Sequence, residues 1–308
     1  MSTANDVVIG SGVLGRTIAR MLRQQGRAVT VLNRHGGSLD GHALLACDLT
    51  QAGELERHLG DRSRIFVCAA PAYFRWKEEF GPLIDGLRRA AKGRAADIVY
   101  ADNLYAYGAR DEPLTEAMPY AAATVKGRIR ADAAERLMRL HGSYGVRVAI
   151  VRAADFFGPG VENSVVGLRV IRDVLAGRPA YVIGNPDLPH ALTYLPDQAR
   201  CMIALASEDD AFGSSWHAPN NPALSLRAFL EQVAQQGASP LKLRSAGRLM
   251  LRAMGMFNPA MRELIEMLYQ FEKPFLVSHE KIGARFGLAP TPLPTALAET
   301  AQWVRSQP

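Results

Sequence analysis

The stretch "VVIGSGVLGRTIARML" narrows most sharply what this chain can fold into. Gly10, Gly12 and Gly15 form G-x-G-x-x-G between a short apolar run and a helical pattern. The first glycine permits a tight turn, and the second lets backbone approach an anion. The third lets helix pack closely on strand, with Val13 and Leu14 in the helix's first turn. In this strand–turn–helix setting the motif reads as a dinucleotide pyrophosphate site.

The first half continues the alternation. Apolar runs "AVTVLN", "ALLACDL", "RIFVCAA", "DIVYADN" and "VRVAIVRAADFFGPG" are separated by helical stretches, among them 13–25, 76–91 and 122–141. In the last of these, Ile129, Ala133, Leu137 and Leu140 mark an apolar face. Continuous apolar strands alternating with helices imply a parallel sheet covered on both faces. The expected class is α/β: a Rossmann-type doubly wound sheet with a smaller, mostly helical C-terminal substrate domain. The expected boundaries are 1–157 for the dinucleotide domain, with 192–218 returning to it. Residues 158–191 and 219–308 form the smaller domain. Its segment "GRLMLRAMGMFNPAMRELIEMLYQFEKPFLVS", with Met250, Met254, Met256, Met261 and Met267, reads as packed helical core or as an adaptable apolar lid. A final helix is expected over 294–305.

Composition removes several classes. Of 308 residues, 48% are hydrophobic and 21% charged, an ordinary globular balance. No apolar run approaches the roughly 18 residues of a membrane span, and the opening residues enter a strand pattern without room for a signal peptide. The net charge of +6 is spread along the chain, densest at 241–255, which reads as a solvated helix face. No aromatic-interleaved basic stripe or Cys/His finger spacing points to nucleic acid, and an anionic cofactor accounts for the excess. Cys47, Cys68 and Cys201 are widely spaced in apolar surroundings. They read as reduced thiols of a cytoplasmic protein, with no metal site; Cys68, at a strand end, is a weak candidate nucleophile.

The end of the second strand bears on the cofactor. An NAD site usually places a carboxylate there, about 20 residues beyond the glycines. This chain has Asn33, Arg34 and His35. Nothing there repels a 2′-phosphate, and Arg34 can pair with one, so NADPH is favoured and NAD is less expected.

The glycine motif, "CDLT", "VYADNLYAYG", the helix carrying Lys126, "RAADFFGPG" and "TYLPDQAR" together resemble the extended or atypical short-chain dehydrogenase/reductases, the NAD-dependent epimerase/dehydratase-like family. The resemblance spans nearly the whole chain. It implies that Asp48 and Leu49 lie along the adenine and that "CAAPAY", with Ala69 and Ala70, passes beside the cofactor. Lys126 would hold the nicotinamide ribose. Asp155 and Phe156 of "DFFGPG", Tyr73, and His190 in the segment 188–197 would meet substrate. Helices 76–91 and 122–141 would form the seam of a homodimer. The family's catalytic tyrosine, four residues before the lysine, is Ala122 here, and its serine or threonine is Asn103. Without the phenol the acid–base function is vacant, leaving Tyr120, Tyr105, Tyr107, Asp102, Asp155 and His190 as candidate replacements.

Three functions stay open. The favoured one is an NADPH-dependent reductase of a C=O, C=N or activated C=C bond in a small, partly apolar substrate, with Asn103 orienting it. A second is a non-catalytic NADP-binding regulator. The third is a nucleotide-sugar-type epimerase or dehydratase, weakened because that chemistry begins by oxidising a hydroxyl.

Overall fold

The computed structural model describes residues 5–60, 62–92, 94–256 and 264–307. Its strands, numbered in chain order, begin with β1 (Asp6–Ile9), β2 (Val29–Asn33), β3 (Gly37–Leu39) and β4 (His42–Ala46). Next come β5 (Ser63–Val67), β6 (Ala96–Asn103), β7 (Arg147–Ala153) and β8 (Asp155–Phe157). The last are β9 (Ala180–Ile183), β10 (Pro189–Tyr194), β11 (Ser215–His217), β12 (Asn221–Ser225) and β13 (Leu243–Ala246). The helices are α1 (Val13–Gln24), α2 (Trp76–Ala91), α3 (Val125–Met138), α4 (Leu168–Leu175), α5 (Leu195–Leu205), α6 (Leu226–Gln236), α7 (Arg248–Gly255), α8 (Glu280–Phe286) and α9 (Leu293–Ser306).

Val7, Val8 and Ile65 to Val67 have almost no exposure, as expected of strands covered on both faces. They belong to a sheet ordered β11-β7-β6-β5-β1-β2-β4-β3. The pairs β1–β2, β1–β5, β2–β4 and β5–β6 are parallel, while β3 and β4 make an antiparallel edge hairpin. The chain leaves β1 for β2 on one side and later returns to β5 on the other. That reversal of strand order beside β1 is the crevice in which such sheets bind ligands. At the opposite end of β1, buried Asp6 accepts from Arg27 of the turn before β2 (2.6 and 2.7 Å) and from Arg64 of β5 (2.8 and 3.4 Å).

The chain divides into two compact units. The first comprises Met1–Ala106, Val125–Arg152 and Gln198–Trp216. The second comprises Tyr107–Thr124, Ala153–Asp197 and His217–Pro308. Beside its helices the second unit carries a three-stranded sheet, β12-β10-β8, and a parallel pair, β13-β9. Its core gathers Phe157, Ile171, Tyr194, Phe229, Leu268 and Leu297.

Two local expectations change. Residues 241–255 are not one helix face: Leu241 and Leu243 alternate with Lys242 and Arg244, a period of two, and β13 forms before α7 begins. Leu251 of α7 is buried, while Leu249 and Met250 face solvent. Met261 lies outside the described residues. The second change is at α3, which starts at Val125 instead of 122. Backbone contacts hold the preceding segment extended. Gly108, at φ +70°, lies so near Ala121 that a Cβ there would come within 2.5 Å of its carbonyl oxygen. Arg110 donates to the carbonyls of Tyr107 and Pro119.

The three cysteines form no disulfide, and no helix among the described residues is long and apolar enough to cross a membrane.

In α2, Gly86 packs directly on the loop after β4, where a Cβ would stand 1.7 Å from the Leu49 carbonyl oxygen. Alanine at this position gains about 1 kcal/mol of helix propensity. Gly86→Ala is nevertheless expected to lower stability by about 2 kcal/mol net, because backbone must move to admit the methyl group. Urea unfolding of the two proteins measures the difference.

Candidate active site

The turn leaving β1 is shaped by contacts that only glycine allows. Gly10 has φ +105°, and a Cβ on it would lie 2.7 Å from the Ala69 nitrogen. A Cβ on Gly15 would lie 1.9 Å from the Gly10 carbonyl oxygen, so α1 and β1 meet backbone to backbone. Gly12 differs, since a Cβ there meets nothing within 4 Å. The first turn of α1 carries no acidic residue, and no side chain caps it. Its N–H groups, with Val13 and Leu14, face open space beside Gly12 and fit an anionic pyrophosphate.

At the end of β2 the Asn33 side chain is spent on the fold. Its Oδ1 accepts from the nitrogens of His35 (3.0 Å) and Gly36 (2.5 Å), and Nδ2 donates to Ser11 Oγ at 3.0 Å. The half-exposed Arg34 reaches Glu79 at 3.4 Å, and Arg75 reaches the same carboxylate at 2.7 Å. Asp48 accepts from the Thr50 nitrogen and hydroxyl, which hold its carboxyl below the usual range. Leu49 is buried under Gly86, Ala69 abuts Gly10, and Ala70 is exposed. Burial pushes the Cys68 thiol up, which disfavours the thiolate.

Asp102, near the end of β6, is buried beneath two guanidinium groups. Arg130 Nη1 lies 3.3 Å from Oδ1, and Arg152 Nε lies 3.1 Å from Oδ2. Arg130 also donates to the Tyr100 hydroxyl (3.0 Å) and lies over the rings of Trp76 and Phe80, 4.4 and 4.6 Å from their centroids. A carboxylate so placed serves as counter-ion to both guanidinium groups. Next to it, Asn103 Oδ1 accepts from the Tyr105 nitrogen at 3.1 Å. That bond engages the amide oxygen, so the hydrogen-bonding capacity left on Nδ2 is that of a donor.

Lys126 is buried, one helical turn before Arg130 on the inner face of α3. Its Nζ donates to the Tyr73 carbonyl at 3.2 Å and lies 4.2 Å from the Tyr73 ring centroid. Trp76 packs against both Tyr73 and Tyr105, at centroid distances of 5.0 and 6.1 Å. The first unit therefore groups Lys126, Tyr73, Trp76 and Tyr105.

The remaining candidates belong to the second unit. Tyr120 packs edge-on to Tyr107, whose hydroxyl is 3.0 Å from His217 Nε2. His217 Nδ1 lies 2.8 Å from the Ser278 carbonyl, so Nδ1 carries the proton and Nε2 accepts from the phenol. The burial of Tyr107 and His217 makes that chain a structural staple. Asp155 Oδ2 lies 2.7 Å from His190 Nε2, and the imidazole stacks on Phe271 and packs against Phe275. Phe156 pairs with Thr193 across β8 and β10.

Sequence reasoning missed Arg130, Arg152, Trp76 and Glu79. A signal was present: Arg152 and Asp102 interrupt apolar strand runs, and Arg130 follows Lys126 by four on an inward helix face.

Residues 7–216 match the model of a family described as NAD dependent epimerase/dehydratase. No curated protein matches the chain. Among solved structures, MoeE5 in complex with UDP-glucuronic acid and NAD is 19% identical, with a TM-score of 0.78 over 98% of this chain and 99% of that one. UDP-glucuronic acid 4-epimerase from Bacillus cereus is 14% identical, with a TM-score of 0.77 and the same coverage. A dTDP-glucose 4,6-dehydratase from Bacillus anthracis str. Ames is 15% identical, with a TM-score of 0.75 over 99% and 97% of the two chains. At such identities the likeness is one of fold.

Replacing Asp102 with alanine leaves two buried guanidinium groups without their shared counter-ion. The expected loss of stability is about 3–5 kcal/mol, measured by chemical denaturation. An Asp102 acting only in catalysis would instead lower activity and leave the unfolding midpoint in place.

Proposed function

The chain belongs to the NAD dependent epimerase/dehydratase family, and from that premise we propose that it is an NADPH-dependent oxidoreductase working in the reducing direction, on a C=O, C=N or activated C=C bond of a small, partly apolar substrate. One observation carries the direction. Around the end of β6 and the start of α3, the polar groups beside Asp102 are an amide whose oxygen is already engaged and an ammonium, Asn103 and Lys126, while the carboxylate of Asp102 is consumed by Arg130 and Arg152. Donors stabilise an oxygen or nitrogen that gains electron density, whereas oxidising a hydroxyl first requires a base.

When bound, the nicotinamide supplies the hydride. The glycine turn and the first turn of α1 hold the pyrophosphate, Asp48 and Leu49 flank the adenine, Arg34 pairs with the 2′-phosphate, and Lys126 holds the nicotinamide ribose. Asn103 Nδ2 orients the acceptor atom of the substrate. Tyr105, which shares the Trp76 wall with Lys126, is the proton donor. A C=N substrate that arrives protonated needs it less. Two copies pair through α2 and α3.

A second reading, a nucleotide-sugar epimerase or dehydratase, is favoured by the family and by a fold shared with enzymes of UDP- and dTDP-sugars. The purified protein distinguishes the two. Oxidation of NADPH on a panel of carbonyls, imines and activated alkenes is the expected result. Turnover of UDP-sugars with no net change in cofactor redox state would reverse the order. Cofactor binding without turnover of either panel would point to the regulator. With a turned-over substrate, Tyr105→Phe is expected to lower kcat by about 10²-fold or more while leaving the Kd for NADPH within a factor of two. An unchanged kcat would remove Tyr105 from the mechanism.

A further inference from the structure

On the NADPH reading of this site, on which the inference rests, we propose that Arg75 is a second cation for the 2′-phosphate, beside Arg34. Glu79 then sets how strongly NADPH is preferred over NADH.

At the end of β2 the Asn33 side chain is committed to the fold. The Asn33 carboxamide oxygen accepts two backbone N–H groups, and its amide is committed to Ser11. No carboxylate stands at this strand end, where an NAD site places one for the ribose hydroxyls. What stands nearby is charge. Arg34 leaves the turn after β2, and Arg75 closes the turn before α2. The two turns flank the glycine loop, because Asn33 bonds Ser11 on one side and Gly10 abuts Ala69 on the other.

Both arginines converge on Glu79. Their side chains are 51% and 55% exposed, that of Glu79 only 17%. Each engages the carboxylate through one Nη, and a guanidinium carries five N–H donors in all, more than one such contact uses. Exposed pairs of this kind are weak, so an incoming anion displaces the carboxylate readily. A phosphate brings three acceptor oxygens and more charge than the carboxylate it replaces, in the geometry that guanidinium groups bind best. Glu79 therefore acts in two opposed ways. It keeps the arginines together in one place, and it competes with the phosphate for them. Asp48 is a further carboxylate within the field of Arg34.

The test uses adenosine 2′,5′-bisphosphate and ADP as probes, with Kd measured by calorimetry on the full chain. Glu79→Gln is expected to tighten the bisphosphate roughly three- to tenfold, and Arg75→Gln to weaken it by a similar factor. Both variants should bind ADP like the parent protein, which also shows that they fold. In the Arg75→Gln background the gain from Glu79→Gln should shrink, since the two groups act on each other. If ADP binds but Glu79→Gln and Arg75→Gln each change the bisphosphate affinity less than twofold, the arginine pair is a surface ion network and the inference falls. If neither probe binds the parent protein, the dinucleotide reading itself fails and takes this inference with it.

Discussion

A single buried carboxylate, Asp102, organises the first unit. Each of its oxygens takes one guanidinium, from Arg130 of α3 and Arg152 of β7. Any of the three charges alone would be costly to bury, so the strand ends and α3 are stable only together. Arg130 carries the constraint further, because its guanidinium lies against Trp76 and Phe80 of α2, and contacts of this kind are strengthened when shielded from water. One turn before it, Lys126 is carried onto Tyr73 and Trp76 by the same helix face. The position of the lysine thus follows from an ion cluster one turn further along the same helix.

Much of the fold was legible because it rests on local rules. Gly10, Gly12 and Gly15 announced the turn, apolar runs announced the strands, although β4 from "ALLACDL" lies largely exposed near the sheet edge, and α2 begins and ends where its pattern does. Details decided by distant contacts were not legible. The start of α3 depends on Gly108 and Arg110 pinning a segment that has acceptable helix formers at 121–123. The role of Asp102 depends on two arginines from other elements, and a lone carboxylate at a strand end looks the same in sequence whether it is a base or a counter-ion. The hydrogen bonds of Asn33 were equally invisible, although its identity was the clue to the cofactor.

Ala122 takes on a different meaning with the structure. Four residues before a lysine places a phenol over that lysine only if both lie on one helix, and here position 122 precedes the helix. In this chain a side chain at 122 would not share the helix face that carries Lys126.

The contact between Gly86 and Leu49 has a mechanical consequence. With no side chain between them, α2 and the loop after β4 move as one body, and the same helix begins with Trp76 and carries Glu79 in its first turn. The aromatic wall of the lysine, the carboxylate between the two arginines and the Leu49 loop are thus fixed to a single rod. An engineer who repacks one of them to change cofactor or substrate will shift the other two, and variants selected for one trait should bring compensating changes along the length of α2.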